Sequence, residues 1–373
     1  ARHAARNSDR AGLRHHDPQP LSMLLAQVLK RDSNNLDLVR LIAACLVIYG
    51  HANAFLPPER AGGDWVAGLL GFDYSGSLAV KVFFFLSGLV VTNSLLEKRS
   101  LLQFAIARVL RIWPALIAVL LGCALIIGPL VTSMPLREYL LEPQTRAYVW
   151  DGLRMHVGFV LPGVFDGHIT NAVNGSLWSI PHEVNAYWVL AGAFALGLHR
   201  FRWLAVSVTI FIIIDPLLSQ RLLFSWRTPN AAIDALAPCF AAGALMALFK
   251  DYIRIGPNMV FGCLVLFFAF KQAPYAHYLF YAALFFGLLY VFSRPLLVAW
   301  RPSADVSYGV YLWGWPIQQL LVHVFPDMGV QWHRLYAIAL ACGMGWASWH
   351  LLEKHFVLLG RQWYERLKTP ARA

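Results

Sequence analysis

The chain has 373 residues, 58% of them hydrophobic and 14% charged, where soluble domains carry about a quarter charged. That balance excludes an ordinary soluble enzyme and points to a polytopic membrane protein. The net charge of +11 sits in the connections between apolar runs. The aromatic-interleaved basic patches of a soluble nucleic-acid binder are missing, so membrane lipid is an expected partner and nucleic acid is not.

The first 33 residues, opening ARHAARNSDRAGLRHHDPQP, are polar and basic and lack a signal peptide's apolar core. They read as a mobile cytoplasmic tail, with His15 and His16 solvated rather than metal-bound. Windows of about twenty apolar residues, enough to cross a bilayer, follow near 36–56, 78–96, 112–132, 183–199, 203–220, 232–249, 256–272, 275–293, 305–325 and 335–352. The predicted fold class is therefore an all-α polytopic integral membrane protein of about ten transmembrane helices. One longer extracytoplasmic loop spans roughly 133–182. Most of the 31 Lys and Arg fall before 36, between alternate spans and after 352. The positive-inside rule makes those segments, and both termini, cytoplasmic. Residues 34–356 form one membrane domain and 357–373 a cytoplasmic C-terminal tail. Cys45, Cys123, Cys239, Cys263 and Cys342 fall in or beside spans without paired spacing, so neither disulfides nor a metal site is expected. Asp215 and Asp234, near span ends, read as solvated at the mouths.

Several polar residues inside these apolar runs are candidates for chemistry. In LVRLIAACLVIYGHANAF, residues 38–55, Arg40 and His51 are eleven apart. That places them on one helix face, about 16 Å apart along its axis. An anion held by Arg40 and a base at His51 would mark the two ends of one path; snorkelling and capping are the structural alternatives. VFFFLSGLVVTNSL puts Ser87 and Gly88 inside the second span, where small residues let helices approach. QFAIARVLRIWP sets Arg108 and Arg111 three apart, as topology-setting charge or as a phosphate clamp. NGSLWS supplies Asn174, Trp178 and Ser179, a polar and aromatic mix suited to carbohydrate. Pro181 then fits the first turn of a helix, placing Glu183 and Tyr187 near the non-cytoplasmic mouth of the fourth span.

Together with SYGVYLWGWP (307–316) and LLEKHF (351–356), these stretches stand in an order that resembles the membrane acyltransferase-3 family from about 34 to 356. Members O-acetylate lipopolysaccharide O-antigens, peptidoglycan, exopolysaccharides and Nod factors. The resemblance implies a protein of the bacterial cytoplasmic (inner) membrane. It would move an acyl group, usually acetyl, from cytoplasmic acetyl-CoA as co-substrate to a hydroxyl of a glycan or lipid-linked saccharide, with no metal. Arg40, Arg108 and Arg111 would bind the CoA phosphates. His51 would be the general base or a transient acyl carrier, and Glu183 would orient it or the hydroxyl. Ser87, Asn174, Trp178, Tyr308 and Tyr311 would line the acceptor pocket. Glu353 matches the family's acidic residue after the last span. Many relatives carry histidine where this chain has Gly314, so no catalytic role transfers there. The hydrolase-like extracytoplasmic domain of longer relatives is not expected in this chain, and any such partner would be a separate protein. The competing expectation is a transporter or flippase for a lipid-linked sugar, which should show inverted-repeat symmetry; none is visible.

Overall fold

The computed structural model describes residues 21–218 and 234–368. Its main helices are α1 (Leu36–His51), α2 (Ser75–Lys98), α3 (Leu101–Gly122), α4 (Ile180–Ala195), α5 (Arg202–Ile214), α6 (Leu236–Leu248), α7 (Pro257–Ala269), α8 (Ala276–Val291), α9 (Ser307–Val324), α10 (Val330–Ser348) and α11 (Lys354–Lys368). Each of the ten apolar windows coincides with one of α1–α10, so the all-α membrane class holds. Among the described residues, four continuous stretches are long and apolar enough to cross a membrane: Leu36–Ala54, Ser75–Lys98, Leu101–Val131 and Val330–Leu367. Helices α6, α7 and α8 are apolar but shorter.

Glycines set the tightest helix crossings. A side-chain carbon at Gly88 of α2 would overlap the Phe240 carbonyl oxygen of α6, and one at Gly243 would overlap the Phe85 carbonyl oxygen. The two backbones are therefore in direct contact, as small residues at membrane helix interfaces allow. Where α9 crosses α10, a carbon at Gly309 would sit 2.9 Å from the Gly345 Cα.

The segments whose charge marked them as one face do gather at one end of the bundle. Asn35 caps α1 by accepting from the Leu38 N–H at 3.1 Å, and its Nδ2 donates to the Leu297 carbonyl at 2.6 Å. Arg301 donates to the carbonyls of Arg31 and Asn34. Lys250 donates to Asn93 and Glu97, at 2.6 and 2.7 Å. Part of the expected N-terminal tail belongs to this layer. Met23–Leu24 (β1) pairs antiparallel with Arg254–Ile255 (β2), and Leu25 and Val28 are fully buried. These apolar side chains seal the base of the bundle; residues 1–20 lie outside the described residues. At the other terminus α11 continues the helix to Lys368 and packs on α3, with Gly360 against Leu110. Asp215 is fully buried and Asp234 nearly so, which corrects the expectation that both are solvated.

The long connection 133–182 is not a free loop. It contains the helices Leu136–Leu141 and Pro143–Leu153, and its last part is laced onto α9. The Gln319 amide donates to the Thr170 and Ala172 carbonyls, Trp315 Nε1 donates to the Ala172 carbonyl, and Asn174 Nδ2 donates to the Leu312 carbonyl.

Candidate active site

From the basic end a cavity of about 460 Å³ enters the bundle between α1, α2, α3, α4 and α9. Six arginines line it (Arg31, Arg40, Arg108, Arg111, Arg301 and Arg361) against three carboxylates, Asp37, Glu183 and Asp305. The excess of guanidinium groups suits an anionic ligand with planar oxygens to hold.

The arginines that look alike in sequence differ in their surroundings. Among the described residues, the one ion pair Arg40 makes is a loose one with Asp37, at 3.4 Å. Arg108 lies over the Tyr187 ring, 5.8 Å from its centroid. Arg111 is committed: it forks to Asp305 at 2.7 Å and Glu353 at 2.6 Å, and it is flanked by the rings of Tyr308 and Trp349. Glu353 reaches it because the α10–α11 junction, Trp349–Glu353, is a π-helical turn that swings this carboxylate inward. Burial would push the Asp305 carboxyl up, but the charges of Arg111 and Arg40 hold it below the usual aspartate range. Of the expected three-arginine phosphate clamp, Arg40 is loosely paired and Arg108 faces a ring, whereas Arg111 is already neutralised by two carboxylates.

Glu183 is not at the far mouth. A short helical turn, Gly175–Ser179, carries the chain back into the bundle, so α4 starts inside it. Asn174 caps that turn through the Ser176 N–H. Tyr311 pins it, with its hydroxyl 2.7 Å from Ser179 Oγ and donating to the Ser176 carbonyl. Glu183 therefore faces the cavity, where its Oε1 accepts from Ser87 Oγ at 2.9 Å and the Tyr187 hydroxyl at 2.5 Å. This places Glu183 with Ser87 and Arg108 and not beside His51. Tyr308 and Tyr311 line the same cavity, Tyr308 donating to the Ile112 carbonyl. Asn174 is fully buried with both side-chain groups engaged, so its geometry is that of a cap. Trp178 lies outside the cavity lining, with its ring edge-on to His182.

His51 also lies beyond that lining. Its ring is edge-on to Trp315 with centroids 5.0 Å apart, and the α2 residue facing it is Gly76. The cavity's inner wall on α2 is Val80 and on α9 is Tyr311. Each is four residues, about 6 Å of helix, from the residue against His51. Arg40 lines the cavity at the start of α1, and an aromatic partition stands between that cavity and His51 at the end of the helix. Gly314 abuts α1: a carbon there would lie 2.6 Å from Ile48 Cγ1, so Ile48 fills the space a larger residue would need.

Sequence reasoning missed Asp305, Arg301 and Arg361 at the cavity. Asp305 could have been sought as the acid preceding SYGVY, facing Arg111. It also missed a buried ion pair on the far half of α2, where Lys81 donates to Asp73 at 2.8 Å and Tyr281 donates to the same carboxylate.

A family model described as an acyltransferase domain, acyltransferase-3, matches residues 33–351, and the chain belongs to that family. The chain is 25% identical over 348 residues to an "O-acetyl transferase" of Shigella phage Sf6, covering 87% of this chain and 96% of that one. It is 34% identical over 164 residues to "Nodulation protein 10" of Rhizobium leguminosarum bv. viciae, covering 42% of this chain and 43% of the relative. No solved structure matches.

Proposed function

We propose that the protein transfers an acyl group, acetyl in the simplest case, from cytoplasmic acyl-CoA to a hydroxyl of a cell-surface glycan or lipid-linked saccharide. The observation that carries this reading is the arginine-rich cavity that opens at the basic end and runs toward His51. Arg40 and Arg108 hold donor phosphates, with Arg31, Arg301 and Arg361 around them at the mouth. Arg111 serves instead to lock Asp305 and Glu353 behind them. The donor's arm passes the Ser87–Glu183–Tyr187 cluster, whose hydroxyls and carboxylate offer hydrogen bonds to its amides. Its thioester reaches the partition formed by Tyr311 and Trp315. His51 removes the proton of the acceptor hydroxyl as that oxygen attacks the thioester carbonyl. The carbon–sulfur bond breaks, and the departing thiolate takes the proton that His51 removed, so the imidazole ends neutral. The family and the O-acetyl transferase among its relatives support oxygen as the accepting atom. The bacterial inner membrane with the basic end inward is the setting this direction requires.

Calorimetric titration of the purified protein with CoA tests the donor half. Binding weakened tenfold or more by Arg40→Ala and by Arg108→Ala, but unchanged by His51→Ala, is the expected pattern. Absence of CoA binding by folded wild type would remove the donor from the scheme.

A further inference from the structure

A second polar site lies on the far side of the Trp315 partition. Gln318 of α9 is fully buried, and neither its amide nitrogen nor its amide oxygen has a hydrogen-bond partner. An amide left so carries the full desolvation penalty of each unsatisfied group, which a hydrogen-bonding guest would relieve. Its direction follows from its neighbours on the helix. Gly314 abuts Ile48 and Trp315 abuts His51. Gln318 lies one turn beyond them, facing the α1 turn that carries His51. His333 of α10 completes the group. It too is fully buried, with its Nε2 3.2 Å from the Gln318 carbonyl oxygen. A carbonyl only accepts, so Nε2 bears the proton and Nδ1 presents a lone pair, which also has no partner. Phe55 stands between these groups, edge-on to Trp315 at 4.7 Å and tilted against His333 at 5.9 Å.

We infer that the Gln318 amide and His333 Nδ1, walled by Phe55 and Trp315 beside His51, form the acceptor subsite, binding the sugar hydroxyls next to the one that is acylated. This rests on the acyltransferase reading above and deepens it. A sugar diol offers two donors and four lone pairs in a small volume. The amide supplies one acceptor and two donors, Nδ1 a further acceptor, and the aromatic rings cover the apolar face of a pyranose. A site built to hydrogen-bond a hydroxyl rejects analogues that lack it, because its own buried groups are then left unpaired. The subsite is closed in this structure. Phe55 belongs to the segment that Arg334 tethers through the Gly62 and Gly63 carbonyls and that Arg60 joins to Asp327. The sugar gains access when that segment lifts.

The test is steady-state kinetics of the full chain in proteoliposomes. The acceptor is surface polysaccharide from the cells that make the protein, stripped of its esters with dilute base. Gln318→Met keeps the volume and removes the unpartnered polar atoms. It should hold or raise the thermal midpoint, raise the acceptor KM roughly tenfold or more, and leave the acyl-CoA KM unchanged. Gln318→Glu, which keeps an acceptor but loses both donors, should show the same split and serves if the methionine variant does not fold. An unchanged acceptor KM in either folded variant overturns the subsite while the acyltransferase reading stands. A lowered midpoint with unchanged acceptor KM does the same and assigns Gln318 to a trapped water. No transfer by wild type to this polysaccharide removes the reading and the subsite together.

Discussion

Replacing Arg111 by alanine separates a structural arginine from one proposed to hold the donor, three residues away. Arg111 forks to Asp305 Oδ2 at 2.7 Å and Glu353 Oε2 at 2.6 Å. The Glu353 side chain is 1% exposed and keeps only Ser348 Oγ, at 2.8 Å, once the guanidinium is gone. Removing one partner of a buried ion pair leaves an uncompensated charge, which costs about 3–5 kcal/mol. Arg108 faces a tyrosine ring at 5.8 Å, and its loss should cost about 0.5–1 kcal/mol. Arg111→Ala should therefore unfold far more readily than Arg108→Ala, in thermal or denaturant melts of the detergent-solubilised protein. Arg108→Ala should instead lose CoA affinity. Adding Glu353→Gln to Arg111→Ala should recover part of the deficit, because the stranded carboxylate is removed with its partner. Equal destabilisation by the two alanine variants, or no recovery in the double variant, would refute this division of roles.

Gly88→Ala forces α2 away from the Phe240 carbonyl of α6 and should cost about 1–3 kcal/mol, read as a lowered thermal midpoint; an unchanged midpoint would contradict the backbone contact. Gly314→His meets Ile48 and should destabilise to a similar degree of about 1–3 kcal/mol, with Ile48→Ala in the same chain restoring the melt. The depressed Asp305 carboxyl gives a signed pH dependence. Its contribution is complete above the ordinary aspartate range and is lost only as pH falls through the lowered native value. Asp305→Asn should therefore flatten the acid limb of a stability–pH curve, and an unaltered limb would show that the carboxylate does not carry it.

Much of the bundle could be read in the chain because apolar length and charge asymmetry act locally, and each apolar window became a helix. The number of crossings was less legible, since helices such as α6 and α7, of 13 residues each, are shorter than the apolar windows that contain them. The Arg40–His51 relation followed from helical geometry alone. Glu183 reads as a mouth residue in sequence because Pro181 opens its helix; the re-entrant turn depends on Tyr311, some 130 residues further on, holding Ser176 and Ser179. Arg108 and Arg111 formed a matched pair in sequence, yet the pairing that distinguishes them comes from Asp305 and Glu353, which only the fold brings near. Buried Leu25 and Val28 were lost in a segment whose composition is that of a tail. Gln318 gives no signal in sequence, because an amide in a span reads as helix packing until its neighbours are known.

The measurement closest to the central claim is acyl transfer from radiolabelled acetyl-CoA to de-esterified surface polysaccharide by the purified protein in proteoliposomes, wild type beside His51→Ala. Label is expected in the polysaccharide with wild type, and none with His51→Ala although that variant still binds CoA. Undiminished transfer by His51→Ala would contradict the role of the histidine, and no transfer by a folded, CoA-binding wild type would contradict the acyltransferase reading itself.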